Sequence, residues 1–231
     1  WRKQLDLAGD AVANGIPVYA QFAARPFGML FGFPGYHAFD HRPTFQRLKA
    51  QLGREELAHR LADPEVRATI LAEKDLPPDP AKQFDAMFAM ILYAIGNPPD
   101  YEPTADRTVA AIAEQRGEDP LATLYDLMLA DGAGAMLMMP FFNYAEGNHD
   151  AIYDMISHPA AVSGLSDGGA HCGLICDASY PTYLLTHWAR DRHRGPRFSL
   201  EYMVRKQTRD TATLFGLSDR GVIAVGKKAD V

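Results

Sequence analysis

Three short apolar runs, IPVYAQF (16–22), AMLMMPFF (135–142) and AVSGLSDGG (161–169), are separated by stretches with helical periodicity. This alternation constrains the fold more than any single residue does. Parallel strands cannot be joined by a tight hairpin and need crossover connections, which are usually helical. The order strand, helices, strand, helix, strand therefore predicts an α/β fold with a parallel sheet. Three strands are too few to close a barrel.

The helices announce themselves through their ends. Leu5, Ala8 and Val12 share one helical face, and Gly15 stands just past the end, where a C-terminal cap belongs. Val109, Ile112 and Ala113 mark a second helix. Asp119 and Pro120 supply an N-cap and a first-turn proline for a third, carrying Leu124, Leu127 and Met128 and ending at Gly132 and Gly134. Ile152, Met155 and Ile156 predict a short helix ending at His158-Pro159. Ser199 caps a last helix through Phe215, with Leu200, Met203 and Val204 on its apolar face and Gly216 after it.

One long segment, 26–103, interrupts this rhythm. It opens with the aromatic, glycine-rich RPFGMLFGFPGYHAFDHRP and continues as a helical region, TFQRLKAQLGREELAHRLADPEVRATILAE. Pro77, Pro78 and Pro80 break it before an apolar run at 82–95, and the whole reads as a lid-like insertion. After Gly216 the text SDRGVIAVGKKADV leaves the helical rhythm for a short alternating strand. The reading is one domain over 1–216 and the start of a β-rich domain over 217–231. The helical pattern is under way at the first residue and a strand is beginning at the last, so a longer parent protein is expected.

Composition narrows the function classes. The chain is 47% hydrophobic and 23% charged with a net charge of -6, a globular balance with no basic stripe for a nucleic-acid backbone. No apolar run reaches the roughly 18 residues of a membrane span, and WRKQLDLAGD lacks the regions of a signal peptide. A cytoplasmic protein acting on a small molecule is expected, with no nucleic-acid or membrane partner. Cys172 and Cys176 lack the second pair of a structural zinc site, so reduced thiols are expected.

Asp167 stands at the C-terminal end of a strand of the predicted parallel sheet, the edge where α/β proteins assemble their sites. Gly168 and Gly169 allow a ligand close to the backbone, although Ser-Asp-Gly is also a common turn. His171 can orient a substrate or bind metal, and is equally at home as a solvated loop residue. Cys172 beside it has no base that sequence reveals. Arg25, also after a strand, suits a substrate carboxylate or a surface ion pair. His37 and His41 have the H-x-x-x-H spacing, but Pro34-Gly35 and Pro43 argue against a helix there and so against a shared metal. His149 and Asp150 follow the second strand, where Asn148 to Asp150 reads best as a helix cap.

GLSDGGAH, together with SLEYMVRKQTRDTATLFGLSDRGVIAVGKKADV, resembles the C-terminal part of the metal-dependent amidohydrolases, in particular the N-acyl-D-amino-acid deacylase (D-aminoacylase) family. ISHPAAVSGLSDGG and LADPEVRATILAE resemble family stretches as well. The resemblance implies the C-terminal portion of a TIM-like (β/α)8 barrel, with the three apolar runs as its final strands. GVIAVGKKAD at 221–230 would lead into a small β-sandwich.

The resemblance makes Asp167 a metal ligand and proton shuttle, taking a proton from the attacking water and returning it to the leaving nitrogen. It also implies a divalent metal, zinc above all, and an amide substrate, for which Gly168, Gly169, His171 and Arg25 are the candidate contacts; a homo-oligomer is a further expectation. The family's His-x-His pair and other ligands would lie upstream of Trp1. Deacylases of this kind carry an arginine after the aspartate, whereas 168–189 contain none. Two alternatives stand beside this reading: a hydantoinase-like cyclic amidohydrolase, and a non-catalytic α/β ligand-binding or oligomerising subunit.

Overall fold

The computed structural model describes residues 1–77, 90–164 and 177–228. Asp167, Gly168, Gly169, His171 and both cysteines lie outside the described residues. In chain order the elements are α1 (Arg2–Ala13), β1 (Ala20–Phe22), β2 (Phe27–Phe31), α2 (Pro43–Gln51), α3 (Arg54–Leu61), α4 (Pro64–Ala72), β3 (Tyr93–Ala94), α5 (Val109–Arg116), α6 (Pro120–Ala133), β4 (Leu137–Phe142), α7 (Asp150–Ser157), β5 (Ala161–Ser163), α8 (Tyr180–Thr186), α9 (Leu200–Arg205) and α10 (Thr211–Leu214). They fall into two compact units. Unit 1 takes the described residues of 1–27, 142–164 and 177–228, and unit 2 those of 28–141.

Unit 1 contains the predicted parallel pairing. β1 lies beside β5 in the register Ala20↔Ala161, Gln21↔Val162 and Phe22↔Ser163. Backbone bonds extend it at both ends, from Ala20 N to Ala160 O (2.9 Å) and from Gly164 N to Phe22 O (3.0 Å). Helices α1, α7, α8 and α9 supply Leu5, Ile152, Ile156, Tyr180, Leu184 and Met203 to a core shared with Phe22, Ala161 and Trp188. Gly15 adopts the left-handed conformation expected of it, with φ 80°. Gly9 is glycine for a steric reason: a Cβ there would stand 2.9 Å from the His158 ring.

The predicted last helix exists in three parts. The Ser199 hydroxyl accepts from Tyr202 N–H at 3.2 Å, α9 follows, a π-helical turn over Lys206–Asp210 widens the helix, and α10 completes it. Gly216, at φ 69°, ends the run. The strand expected beyond it is not formed over 217–228. That stretch is a set of turns, closed by a bond from Lys228 N to Asp219 O (2.8 Å) and by the Lys228–Asp219 ion pair at 3.1 Å. Hydrogen bonds from Arg220 and Lys228 hold the Asp219 carboxyl down at about 2. Side-chain bonds within the turn replace the sheet partner that an alternating pattern needs.

Unit 2 corrects another strand assignment. β4 was expected to join the parallel pair as a barrel strand, yet it lies in a separate sheet of order β2-β4-β3, antiparallel to β3 with Tyr93↔Met138 and Ala94↔Leu137. Leu137 and Met139 enter a core with Phe33, Phe45 and Met128, while Met138 faces Leu30 and Ile95. A strand covered on both faces reads as an unbroken apolar run, so its sequence does not disclose its partner or direction. Gly28 permits the approach of β2 to β4, since a Cβ there would come 2.0 Å from the Met139 carbonyl oxygen.

The helices of unit 2 follow their caps. The Asp63 carboxylate accepts from Glu65 and Val66 N–H ahead of α4, and Asp119 accepts from Leu121 and Ala122 N–H ahead of α6. α6 loses helical geometry at Ala130 to Gly132, with Gly132 at φ 65°, close to the predicted glycine stop. Tyr125 donates from its hydroxyl to Leu61 O at 2.9 Å, and Arg67 grips Asp126 through two 2.7 Å bonds.

Candidate functional site

The C-terminal ends of β1 and β5 in unit 1 lie side by side. A cavity of about 130 Å3 opens there, lined by Ala24, Ser163, Gly164, Tyr180, Leu184 and Gln207. The Nε2 of Gln207 is buried with no hydrogen-bond partner among the described residues. A buried amide donor with no partner among the described residues is a group that a ligand can satisfy. Gly164 lacks a Cβ where one would press on the Gln21 side chain at 2.9 Å, which keeps the strand end narrow.

Arg25 comes three residues after the paired part of β1 and is only 3% exposed. Its Nη2 stands 3.3 Å from Oδ1 of Asp177, itself 1% exposed, and its guanidinium lies 4.8 Å above the Tyr180 ring. The sequence pointed Arg25 at a carboxylate. In the fold a carboxylate of the chain itself occupies part of that role, and Asp177 was not among the sequence candidates. Taking both charges out of water is costly unless they meet each other, so each side chain fixes the other's position.

A second cluster lies on the π-helical turn His187–Asp191 that extends α8. His149 is fully buried, and its Nδ1 lies 3.3 Å from Nε2 of His187. Tyr183 stacks on His187 with ring centres 4.6 Å apart, and Tyr144 meets His149 edge-on at 5.6 Å. The Trp188 indole N–H donates to Ala24 O at 2.7 Å and so ties this cluster to the end of β1. Arg192 supports the turn from behind: it donates to Asp150 at 2.7 Å and to Pro196 O at 3.0 Å, with its guanidinium 4.9 Å from the Trp188 ring.

Two facing imidazole nitrogens have two simple uses. With one proton between them they form a hydrogen bond. With both lone pairs free they fit a divalent cation, because nitrogens at about 2.0–2.1 Å from a tetrahedral zinc stand about 3.3 Å apart. The observed separation suits both, and the donor set fits a metal of the zinc type.

The sequence placed His149 after a strand but assigned it to a cap. The structure gives the capping role to Asn148, whose Oδ1 accepts from Asp150 N–H at 2.9 Å. His187, Asp177, Trp188 and Arg192 escaped sequence reading altogether. The one local signal was Tyr183 and His187 at i, i+4 spacing, which puts two rings on one helical face. His37, doubtful as a ligand on sequence, is a core residue of unit 2, its ring centre 4.5 Å from that of Phe45 and its Nδ1 accepting from Phe39 N–H at 3.2 Å. No helix spans His37 to His41, as their flanking prolines predict.

A parallel strand pair with polar side chains gathered past its C-terminal end is the arrangement on which α/β enzymes build their sites. The family model described as the amidohydrolase family matches residues 1–231, and the chain belongs to that family. No curated protein and no solved structure matches it. Membership points to hydrolysis as the reaction class. Among the described residues no helix is long and apolar enough to cross a membrane.

Proposed function

We propose that this chain is part of a metal-dependent hydrolase of non-peptide amide bonds, with N-acyl-D-amino acids as the substrate class and zinc as the metal. The observation that carries the reading is the pairing of buried His149 with half-buried His187, in a chain of the amidohydrolase family, held to the end of a parallel strand by the Trp188 indole. Both imidazoles must be neutral to offer their lone pairs. A bound zinc ion supplies polarisation of the amide carbonyl and a water acidic enough to deprotonate near neutral pH.

The chain's own residues take the remaining roles. Asp167 accepts a proton from the attacking water and delivers it to the leaving nitrogen. Gly168 and Gly169 let the substrate approach the backbone, and His171 orients it. Arg25 meets the substrate's carboxylate while Asp177 holds the guanidinium in place. The test is hydrolysis of N-acetyl-D-amino acids by the full-length protein, with metal content measured before and after a chelator. Activity is expected to vanish with the metal and return with added zinc. Asp167→Asn should lower turnover roughly 10²- to 10⁴-fold with an unchanged circular dichroism spectrum. Full activity in metal-free protein would refute the reading, and turnover of cyclic imides in place of N-acyl compounds would move the substrate to the hydantoinase-like class.

A further inference from the structure

The opposite ends of the same two strands frame a second cavity, of about 460 Å3, within the size range of small-molecule sites. Tyr19 just ahead of β1 and Ala161 at the start of β5 line it, with Arg205, Lys206, Arg209 and Asp210 from α9 and the π-helical turn. Lys206 is 2% exposed. Its ammonium donates to Ala161 O at 2.8 Å and to His158 O at 3.3 Å, which uses two of its three N–H groups. Among the described residues no carboxylate lies within ion-pair distance of it.

Burial penalises that charge and drives the Lys206 ammonium below its ordinary range. The nearest carboxylate influence is Asp210, already shared between Arg205 and Arg209, each with its Nε 3.3 Å from it. Three cations against one carboxylate leave a local excess of two positive charges. A doubly charged oxyanion cancels that excess, and guanidinium forks match its oxygens. A phosphoryl group carries about that charge at neutral pH.

We propose that this cavity is a binding site for a phosphate dianion, free or as the phosphoryl group of a small ester, separate from the amide-cleaving site. The proposal does not depend on the hydrolase reading, since it concerns the other end of the strands. The arginines are 42% and 53% exposed, so their replacement spares the core.

The experiment titrates inorganic phosphate into the full-length protein and follows the thermal unfolding midpoint, with chloride at matched ionic strength as control. Methyl phosphate is titrated in a parallel arm. A saturable rise is expected with phosphate and not with chloride, and Arg205→Ala/Arg209→Ala should weaken it at least tenfold. Tighter binding of methyl phosphate would assign the site to an ester, and tighter binding of phosphate to the free ion. No saturable rise, or an equal rise in the double variant, overturns the proposal.

Discussion

Unit 2 closes around Phe33, Phe39, Phe45 and Tyr125 with Leu61, Ile70 and Met128, whereas unit 1 buries Arg25, Asp177, Arg192 and Lys206 among Phe22, Trp188 and Met203. Apolar packing alone gives a close-fitting interior at no electrostatic cost. Buried charge must be matched by partners, and removing one partner costs far more than the pair contributes. Polar residues drawn into an interior gather where chemistry needs them. Among the described residues unit 2 buries one charged side chain, Glu102, against four in unit 1, so the contrast is one of degree and weights the candidate chemistry towards unit 1.

Breaking the charged interior of unit 1 should have the largest effect. Asp177→Ala removes the buried carboxylate 3.3 Å from the Arg25 guanidinium and is expected to cost about 3–5 kcal/mol by urea unfolding, while the double replacement Arg25→Met/Asp177→Leu should recover most of that. A single-variant cost below about 1 kcal/mol would remove the basis of the contrast. Trp188→Phe keeps an aromatic ring but strands the Ala24 carbonyl, for an expected loss of about 1–3 kcal/mol in thermal unfolding.

Unit 2 offers the gentler counterpart. Tyr125→Phe gives up the bond to Leu61 O and should cost about 1 kcal/mol in guanidinium. Burial pushes the Tyr125 phenol above its ordinary value. A folded-state value raised above the unfolded value of about 10 gives stability that is fully present below pH 10 and lost as pH climbs through the folded value. Tyr125→Phe should flatten that alkaline loss, and an unchanged alkaline profile would show that the ring is not protected. The smallest effect belongs to the surface pair Arg2–Asp154, whose side chains are 65% and 51% exposed. Arg2→Ala should shift the midpoint by less than about 0.5 kcal/mol.

What was legible in the sequence was local. Asp119-Pro120 and Ser199 mark helix starts because their signals act within one turn, and Gly15 and Gly216 mark ends through a conformation other residues resist. The parallel pairing of β1 with β5 was recoverable because the connection between them is far too long for a hairpin. The place of β4 was not, since its two-sided burial erased the periodicity that encodes a face. The site divided the same way. Arg25 and His149 drew notice by standing after strands, but Asp177 and His187 derive their roles from neighbours distant in sequence.

The parallel pair also carries a kinetic consequence. Phe22 must find Ser163, and the Trp188 indole must find a carbonyl 164 positions earlier, before unit 1 has its core. Contacts of such separation are slow to form because a long loop must close first. The described residues of unit 2 lie inside that loop and are joined by nearer neighbours, such as Leu61 with Tyr125, 64 positions apart. Collapse of unit 2 would shorten the effective span, so the insertion should gain protection against hydrogen exchange before the strands on either side of it do.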